Sequence, residues 1–446
     1  MNFAPQPQSS MSVIDQHTGY VKAIVGGRGE QIASINLNRA TDTTRQPGST
    51  FKVVSTYAPA LNEKGMTLAT TFEDEPYNYP DGSPVENASR TYGGTTTIRR
   101  AIQNSINVVA VKCLEEVTPE LGLQYLDNFG FTTLAHGTEA DTDANGTVWT
   151  DANLPLALGG LTHGVTNVEL CAAYAAIANQ GNYIEPLYYT KILDHNGNVL
   201  IEKTSAERSV IKESTAWLLT SAMEDVVKSG TGTACQLDNM TVAGKTGTTD
   251  DYNDLWFVGY TPYYTCAVWS GFDNNEKLPD DYSRDFHKDM WRKVMTRIHE
   301  GLEDKDFEMP STVEKISVCA DTGLLPRSGC SVITEFFDVG DVPTDYCEEH
   351  FYEPEPVIPE YTYDETIIPE PSLTPENPDE NGDQGDGNTD NGDAGGEGNG
   401  GDDTGSGDTG GGDTGDGDTG GGDVGGGDTD GGDTGGGDAG GGEIIE

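Results

Sequence analysis

The C-terminal stretch limits the fold more than any other feature, because from Asn377 onward the chain is almost wholly Gly, Asp, Thr and Asn. It carries 20 acidic and no basic residues. Such a segment cannot bury enough apolar surface to offset the entropy of ordering it. Ahead of it, "EPEPVIPEYTYDETIIPEPSLTPENP" begins a Pro and Glu stretch near residue 353 that should be extended and poorly ordered. Any core must therefore be drawn from earlier residues, and 353–446 is predicted to be a disordered tail. Acidic residues recur every five positions from Asp408 to Glu443. A calcium β-roll uses a nonapeptide period with an apolar anchor, and this tail reads instead as a solvated, self-repelling spacer.

Of the formal net charge of −50, residues 377–446 carry 20 and residues 1–376 the remaining 30. This argues against a nucleic-acid partner, which needs clustered positive charge, and against an anionic membrane surface. The sequence holds no 18-residue apolar run, and "MNFAPQPQSSMSVIDQ" lacks the basic and apolar parts of a signal peptide. Either the chain is cytosolic or it is a fragment whose targeting segment lies upstream. Four of the seven cysteines, Cys113, Cys171, Cys235 and Cys266, sit in apolar surroundings and read as small core residues.

Within residues 1–305 the pattern is mixed. "MSVIDQHTGYVKAIVGG" predicts two strands around a turn at Thr18-Gly19, and "TVAGKTG", "LWFVGYTP" and "YTCAVWSGF" predict three more. Helices are expected between them. "TNVELCAAYAAIANQG" opens with Thr166 and Glu169 at capping-box spacing and closes at Gly181, while "STAWLLTSAMEDVVKSG" runs from a Ser214 cap to Gly230. Strands at both ends of a helical middle give an α+β fold, an antiparallel sheet of sequence-distant strands with helices packed on it.

Three short motifs carry chemistry. In "RQPGSTFKVVSTYAPAL", Ser49 and Lys52 are one helical turn apart, so the amine can reach the hydroxyl; a neutral lysine there could serve as the serine's general base. Ser-x-x-Lys is weak alone, and Ser209 to Lys212 repeats it as a decoy. The second motif is Ser105-Ile106-Asn107, at a break between two helical runs. Its decoy is Ser34-Ile35-Asn36, and its plain reading is a helix cap and a turn residue. The third is Lys245-Thr246-Gly247-Thr248, a strand offering an ammonium, two hydroxyls and a residue without a side chain. That set suits an anionic peptide end, with Gly247 admitting an extended peptide to the strand. A phosphate loop is excluded, since Asn239 stands where its first glycine would be.

In this order the three motifs are the signature set of penicillin-binding proteins and serine β-lactamases. "LNRATDTTRQPGSTFK", "IQNSINVVAV", "LALGGLTHGVTNVELCAAYAAIANQG" and "VAGKTGTTDDYNDLWFVGYTP" resemble successive segments of the transpeptidase domain of class A penicillin-binding proteins, over roughly residues 10–300. The resemblance implies that fold and a serine D,D-transpeptidase that cross-links peptidoglycan stem peptides through an acyl-enzyme. By similarity Ser49 is the nucleophile, Lys52 its base, Lys245 the nearby cation and Ser105 a proton relay. Asn107 would bind the acyl-side amide, Thr246 and Thr248 the terminal carboxylate, and the N–H groups of Ser49 and Thr248 the oxyanion. β-Lactams should acylate Ser49. The Glu-x-x-Leu-Asn pattern of a class A β-lactamase is absent, whereas a D,D-carboxypeptidase or a β-lactam sensor with the same serine stays open. No cofactor is implied. The expected location is the extracytoplasmic envelope of a Gram-positive-type bacterium, with the family's glycosyltransferase domain and anchor upstream of this chain.

Residues 306–352 depart from that pattern as a small Cys-bearing extension. Cys319, Cys330, Cys347 and His350 could ligate zinc as Cys3His, and outside the cell a Cys319–Cys330 disulfide is at least as natural. No metal is assigned to the acyl-transfer site.

Overall fold

The computed structural model describes residues 6–30 and 36–351. The predicted disordered tail and the first two residues of the Ser34-Ile35-Asn36 decoy lie outside the described residues.

Five antiparallel strands form the central sheet: β1 (Gln8–Asp15), β2 (Tyr20–Val25), β3 (Ala243–Thr248), β4 (Asp254–Tyr260) and β5 (Thr265–Gly271), in the order β3-β4-β5-β1-β2. β1 pairs with β5 from Gln8 opposite Gly271 to Ile14 opposite Thr265, so the two ends of the domain are closed against each other. β4 and β5 are buried at every position. Period-two alternation divides their side chains between two faces. Trp256, Val258, Tyr260, Ala267 and Trp269 join the large helical core; Phe257, Cys266 and Val268 meet Trp291 and Met295 on the other side.

The helices follow local chemistry. α1 (Ala58–Glu63), α2 (Ile98–Asn104), α3 (Asn107–Val117), α4 (Pro119–Asn128), α5 (Asn167–Ala178), α6 (Glu213–Ser229) and α7 (Phe286–Ile298) surround the sheet. The capping box predicted for α5 is present: the Glu169 N–H donates to Thr166 Oγ1 at 3.2 Å and the Thr166 N–H to the Glu169 carboxylate at 3.0 Å. Gly181 then ends that run with a φ of +87°. α6 corrects the Ser214 expectation. Its first residue is Glu213, Lys212 occupies the cap position without a side-chain bond, and the Ser214 hydroxyl instead donates to the Asp338 carboxylate, a charged and therefore stronger acceptor than a backbone partner.

The segment before α1 is not a regular helix. A 3-10 turn, Gly48–Thr50, runs into a π-helical turn, Lys52–Tyr57, in which the Ala58 N–H reaches back to Val53 O. Pro59 contributes, since it has no N–H to offer the Ser55 carbonyl four residues back.

Behind the sheet domain, β6 (Val313–Cys319) and β7 (Val332–Asp338) form an antiparallel hairpin. It rests on the larger body through Val318 and Phe337 against Ala69, the Trp217–Phe336 ring pair at 4.7 Å, and Arg99, which bonds Glu335 and Asp225 at 2.7 Å each. Cys113, Cys171, Cys235 and Cys266 are buried, unpaired core residues. Among the described residues no helix is long and apolar enough to cross a membrane.

Candidate active site

The three motifs converge. Lys52 and Lys245 are both fully buried, and the Ser105 hydroxyl lies between their amines: it accepts from Lys245 Nζ at 2.8 Å and from Lys52 Nζ at 3.4 Å. Lys52 Nζ also donates to Ser105 O at 2.7 Å and Asn107 Oδ1 at 2.6 Å, and Lys245 Nζ to Thr246 O at 3.2 Å. Ser49 is half-buried and borders a cleft of about 530 Å³ with Asn107, Thr248, Trp149 and Asn153. Among the described residues its Oγ has no hydrogen-bond partner, and the Lys52 amine is held by Ser105 and Asn107 rather than by Ser49.

Backbone geometry builds this cluster. Ser105 ends α2 in the left-handed region, φ 56° and ψ 43°, which costs a non-glycine residue about 1–2 kcal/mol. The turn aims both its carbonyl and its hydroxyl at the lysines. Asn107 opens α3, where its N–H and that of Val108 donate to Asn87 Oδ1 at 2.9 and 3.2 Å; Asn87 is itself held by Asp74 at 2.7 Å. Asn107 Nδ2 donates to Glu86 O at 2.7 Å. The plain reading of the motif holds for Ser105, which caps α2, whereas Asn107, read as a turn residue, is the first residue of α3.

Burial sets the electrostatics. Desolvation pushes the Lys245 ammonium down to about 7, and desolvation followed by the Lys245 charge holds Lys52 well below the ordinary lysine range. Among the described residues neither amine has a carboxylate partner to oppose this, and a site of two neighbouring ammonium groups favours leaving one of them neutral.

β3 is an edge strand. Across its turn the Thr249 N–H bonds Asp254 O at 3.1 Å, so by alternation the N–H groups of Thr246 and Thr248 face away from β4, toward the open edge. Thr246 Oγ1 shares a hydrogen bond with Thr231 Oγ1 at 2.7 Å. Gly247 has a different reason from the one expected. A Cβ there would come 2.5 Å from Pro47 O and 2.8 Å from the Thr50 methyl, so the absent side chain lets the Ser49 turn lie against the strand. Likewise a Cβ on Gly48, φ +56°, would stand 2.9 Å from Thr248 O. These contacts bring the Ser49 turn directly against the Thr248 backbone.

Several site residues escaped the sequence reading. Trp149, Asn153 and Thr249 line the cleft, Asn87 holds α3, and Thr231 holds Thr246. Asn87 acts across 20 residues of sequence, so no local pattern marks it. The decoy pair is placed elsewhere: Ser209 lies in a short exposed strand and Lys212 is exposed at the head of α6.

The chain belongs to the penicillin-binding protein transpeptidase family: the penicillin binding protein transpeptidase domain matches residues 10–296, and the penicillin-binding protein 1A C-terminal domain matches residues 309–352. It is 34% identical over 361 residues to penicillin-binding protein 1A of Clostridium botulinum, covering 77% of this chain and 42% of that protein. The chain thus spans about two-fifths of the length of the curated relatives it matches. Among solved structures it resembles the PonA1 protein of Mycobacterium tuberculosis in complex with penicillin V, at a TM-score of 0.59 and 26% identity over 69% of this chain and 82% of that one. Penicillin-binding protein 1A of Haemophilus influenzae shares the fold, with a TM-score of 0.64 and 23% identity over 78% of this chain and 55% of that one.

Proposed function

We propose that this chain is a serine D,D-transpeptidase acting on peptidoglycan stem peptides at the extracytoplasmic face of a Gram-positive-type cell envelope, and that β-lactams acylate the same serine. The observation that carries the reading is the pair of buried, carboxylate-free lysines joined through Ser105 behind the half-buried Ser49.

A neutral Lys52 has two N–H bonds and one lone pair. Ser105 O and Asn107 Oδ1 accept the two hydrogens, which leaves the lone pair to take the Ser49 proton as Oγ attacks the carbonyl between the two terminal D-alanines. The oxyanion forms against the N–H groups of Ser49 and Thr248, which the close packing of Gly48 on Thr248 brings together; losing one such donor costs about 3–4 kcal/mol in comparable sites. The proton then passes from Lys52 by way of Ser105 and Lys245 to the leaving D-alanine nitrogen. Thr246 and Thr248 hold the substrate carboxylate, near the Lys245 charge, while the stem peptide adds to the open edge of β3. Asn107 turns its Oδ1 to Lys52 and one Nδ2 hydrogen to Glu86 O, which leaves the second Nδ2 hydrogen for the acyl-side amide carbonyl. An amine from a second stem finally attacks the ester and gives up a proton to Lys52, neutral again after D-alanine has left, and Lys52 passes that proton to the departing Ser49 Oγ.

The PonA1 protein, similar in fold and bound to penicillin V, supports the β-lactam reading. Covalent labelling with a fluorescent penicillin that vanishes in Ser49→Ala is the expected result; an unlabelled wild-type chain overturns it. D-Alanine release from a stem pentapeptide, rising with an added amine and accompanied by a cross-linked product, distinguishes transpeptidase from carboxypeptidase. Labelling without any release marks a sensor.

A further inference from the structure

We propose that Cys319, Cys330, Cys347 and His350 bind one zinc ion, a structural centre in the C-terminal extension separate from the acyl-transfer site. The four donor atoms, three Sγ and the His350 Nδ1, all lie within 4.8 Å of one another. A tetrahedral zinc with Zn–S of about 2.3 Å and Zn–N of about 2.0–2.1 Å sets sulfur–nitrogen edges of about 3.5 Å. The structure has His350 Nδ1 at 3.5 Å from Cys319 Sγ and 3.3 Å from Cys347 Sγ. Four donors converging on one point match a coordination sphere. A disulfide would engage two sulfurs and leave a thiol and an imidazole gathered for nothing, and all three cysteines are unpaired here.

The surroundings fit as well. His350 Nε2 lies 3.5 Å from the Asp321 carboxylate, which would fix the tautomer that presents Nδ1 to the metal, as supporting groups around zinc do. Cys330 Sγ accepts the Arg327 N–H at 3.2 Å, offsetting thiolate charge. Three soft thiolates with one borderline imidazole in tetrahedral reach select zinc over hard cations. On binding, the three thiols give their protons to solvent and His350 stays neutral. The need is plain too: within the described part of the extension Val313, Val318 and Phe337 are the only buried apolar side chains besides the cysteines. A segment so short and so poor in core requires a cross-link or a metal to hold its shape. Gly323, in the turn after Cys319, sits where a Cβ would be 2.4 Å from Ala69 O, so the metal would fix the loop that seats the extension on the larger body.

The test is the metal content of the purified full chain, prepared without chelator in zinc-supplemented medium, by elemental mass spectrometry together with its intact mass. A single zinc per chain, lost in Cys330→Ser and in His350→Ala, is expected, as is a cobalt-substituted form with the visible absorption of a tetrahedral thiolate site. Should the variants fail to fold, the wild-type stoichiometry and the cobalt spectrum decide. A metal-free chain overturns the proposal, whether its mass is lower by two hydrogens, as a disulfide requires, or its thiols are all reduced; so does zinc retained in the Cys330→Ser/His350→Ala double variant.

Discussion

At the scale of single residues, Ser105 and Lys245 carry most of the consequences. The Ser105 hydroxyl is the one side-chain group bonded to both amines, so Ser105→Ala should slow acylation by roughly 10²- to 10⁴-fold, the usual worth of a positioned proton-transfer group. Stopped-flow measurement of β-lactam acylation checks it, with near-wild-type thermal stability as the sign that the backbone turn survives. Lys245, lowered to about 7 by burial, must be cationic to assist. As pH rises through that value it loses its proton, so the second-order acylation rate should fall on the alkaline side near pH 7. Lys52 must be neutral, and burial together with the Lys245 charge holds it well below the ordinary lysine range, so loss of rate on the acid side reports protonation of Lys52. A rate that keeps climbing above pH 8 would contradict these roles. The Ser49 and Lys52 spacing was legible, but no local pattern marked the groups that hold Lys52, whose bonds run to residues more than 50 positions away.

At the scale of elements, the decisive contact is the Ser49 turn against β3. Gly247→Ala would drive a methyl toward Pro47 O, and the expected cost is about 1–3 kcal/mol of stability, typical of overpacking. A melting curve reads the loss, and penicillin labelling should fall with it because the same shift moves the Ser49 and Thr248 N–H groups apart. The strands of the sheet, the α5 capping box and the positive-φ Gly181 just beyond the end of α5 were all readable, since alternation, side-chain capping and positive-φ glycine are local effects. Ser214 misled because an Asp338 carboxylate more than a hundred residues away competes for its hydroxyl. The π-helical turn was hidden for a similar reason: Pro59 was visible, but whether a helix bends, breaks or widens ahead of a proline depends on what packs around it.

At the scale of the whole molecule, an ionic junction ties the extension to the larger body. Arg99, at the start of α2, meets Asp225 of α6 and the buried Glu335 of β7. Arg99→Ala would leave Glu335 buried without its partner and should destabilise the chain by about 3–5 kcal/mol, measured as a lowered denaturant midpoint. Because α2 ends at Ser105, the same variant tests whether this junction also steadies the active site: a fall in acylation rate at temperatures where the protein remains folded is the expected sign. The amino-acid sequence alone determined where a core could form, the strands and capped helices that build it, and the three reactive motifs, because composition, periodicity and capping act over a few neighbouring residues. Tertiary structure alone decided that two buried lysines share one hydroxyl, that Gly247 serves the Ser49 turn, and that three cysteines and a histidine meet at a point. Those outcomes depend on which distant segments are pressed together and shut off from water, and no local pattern records that.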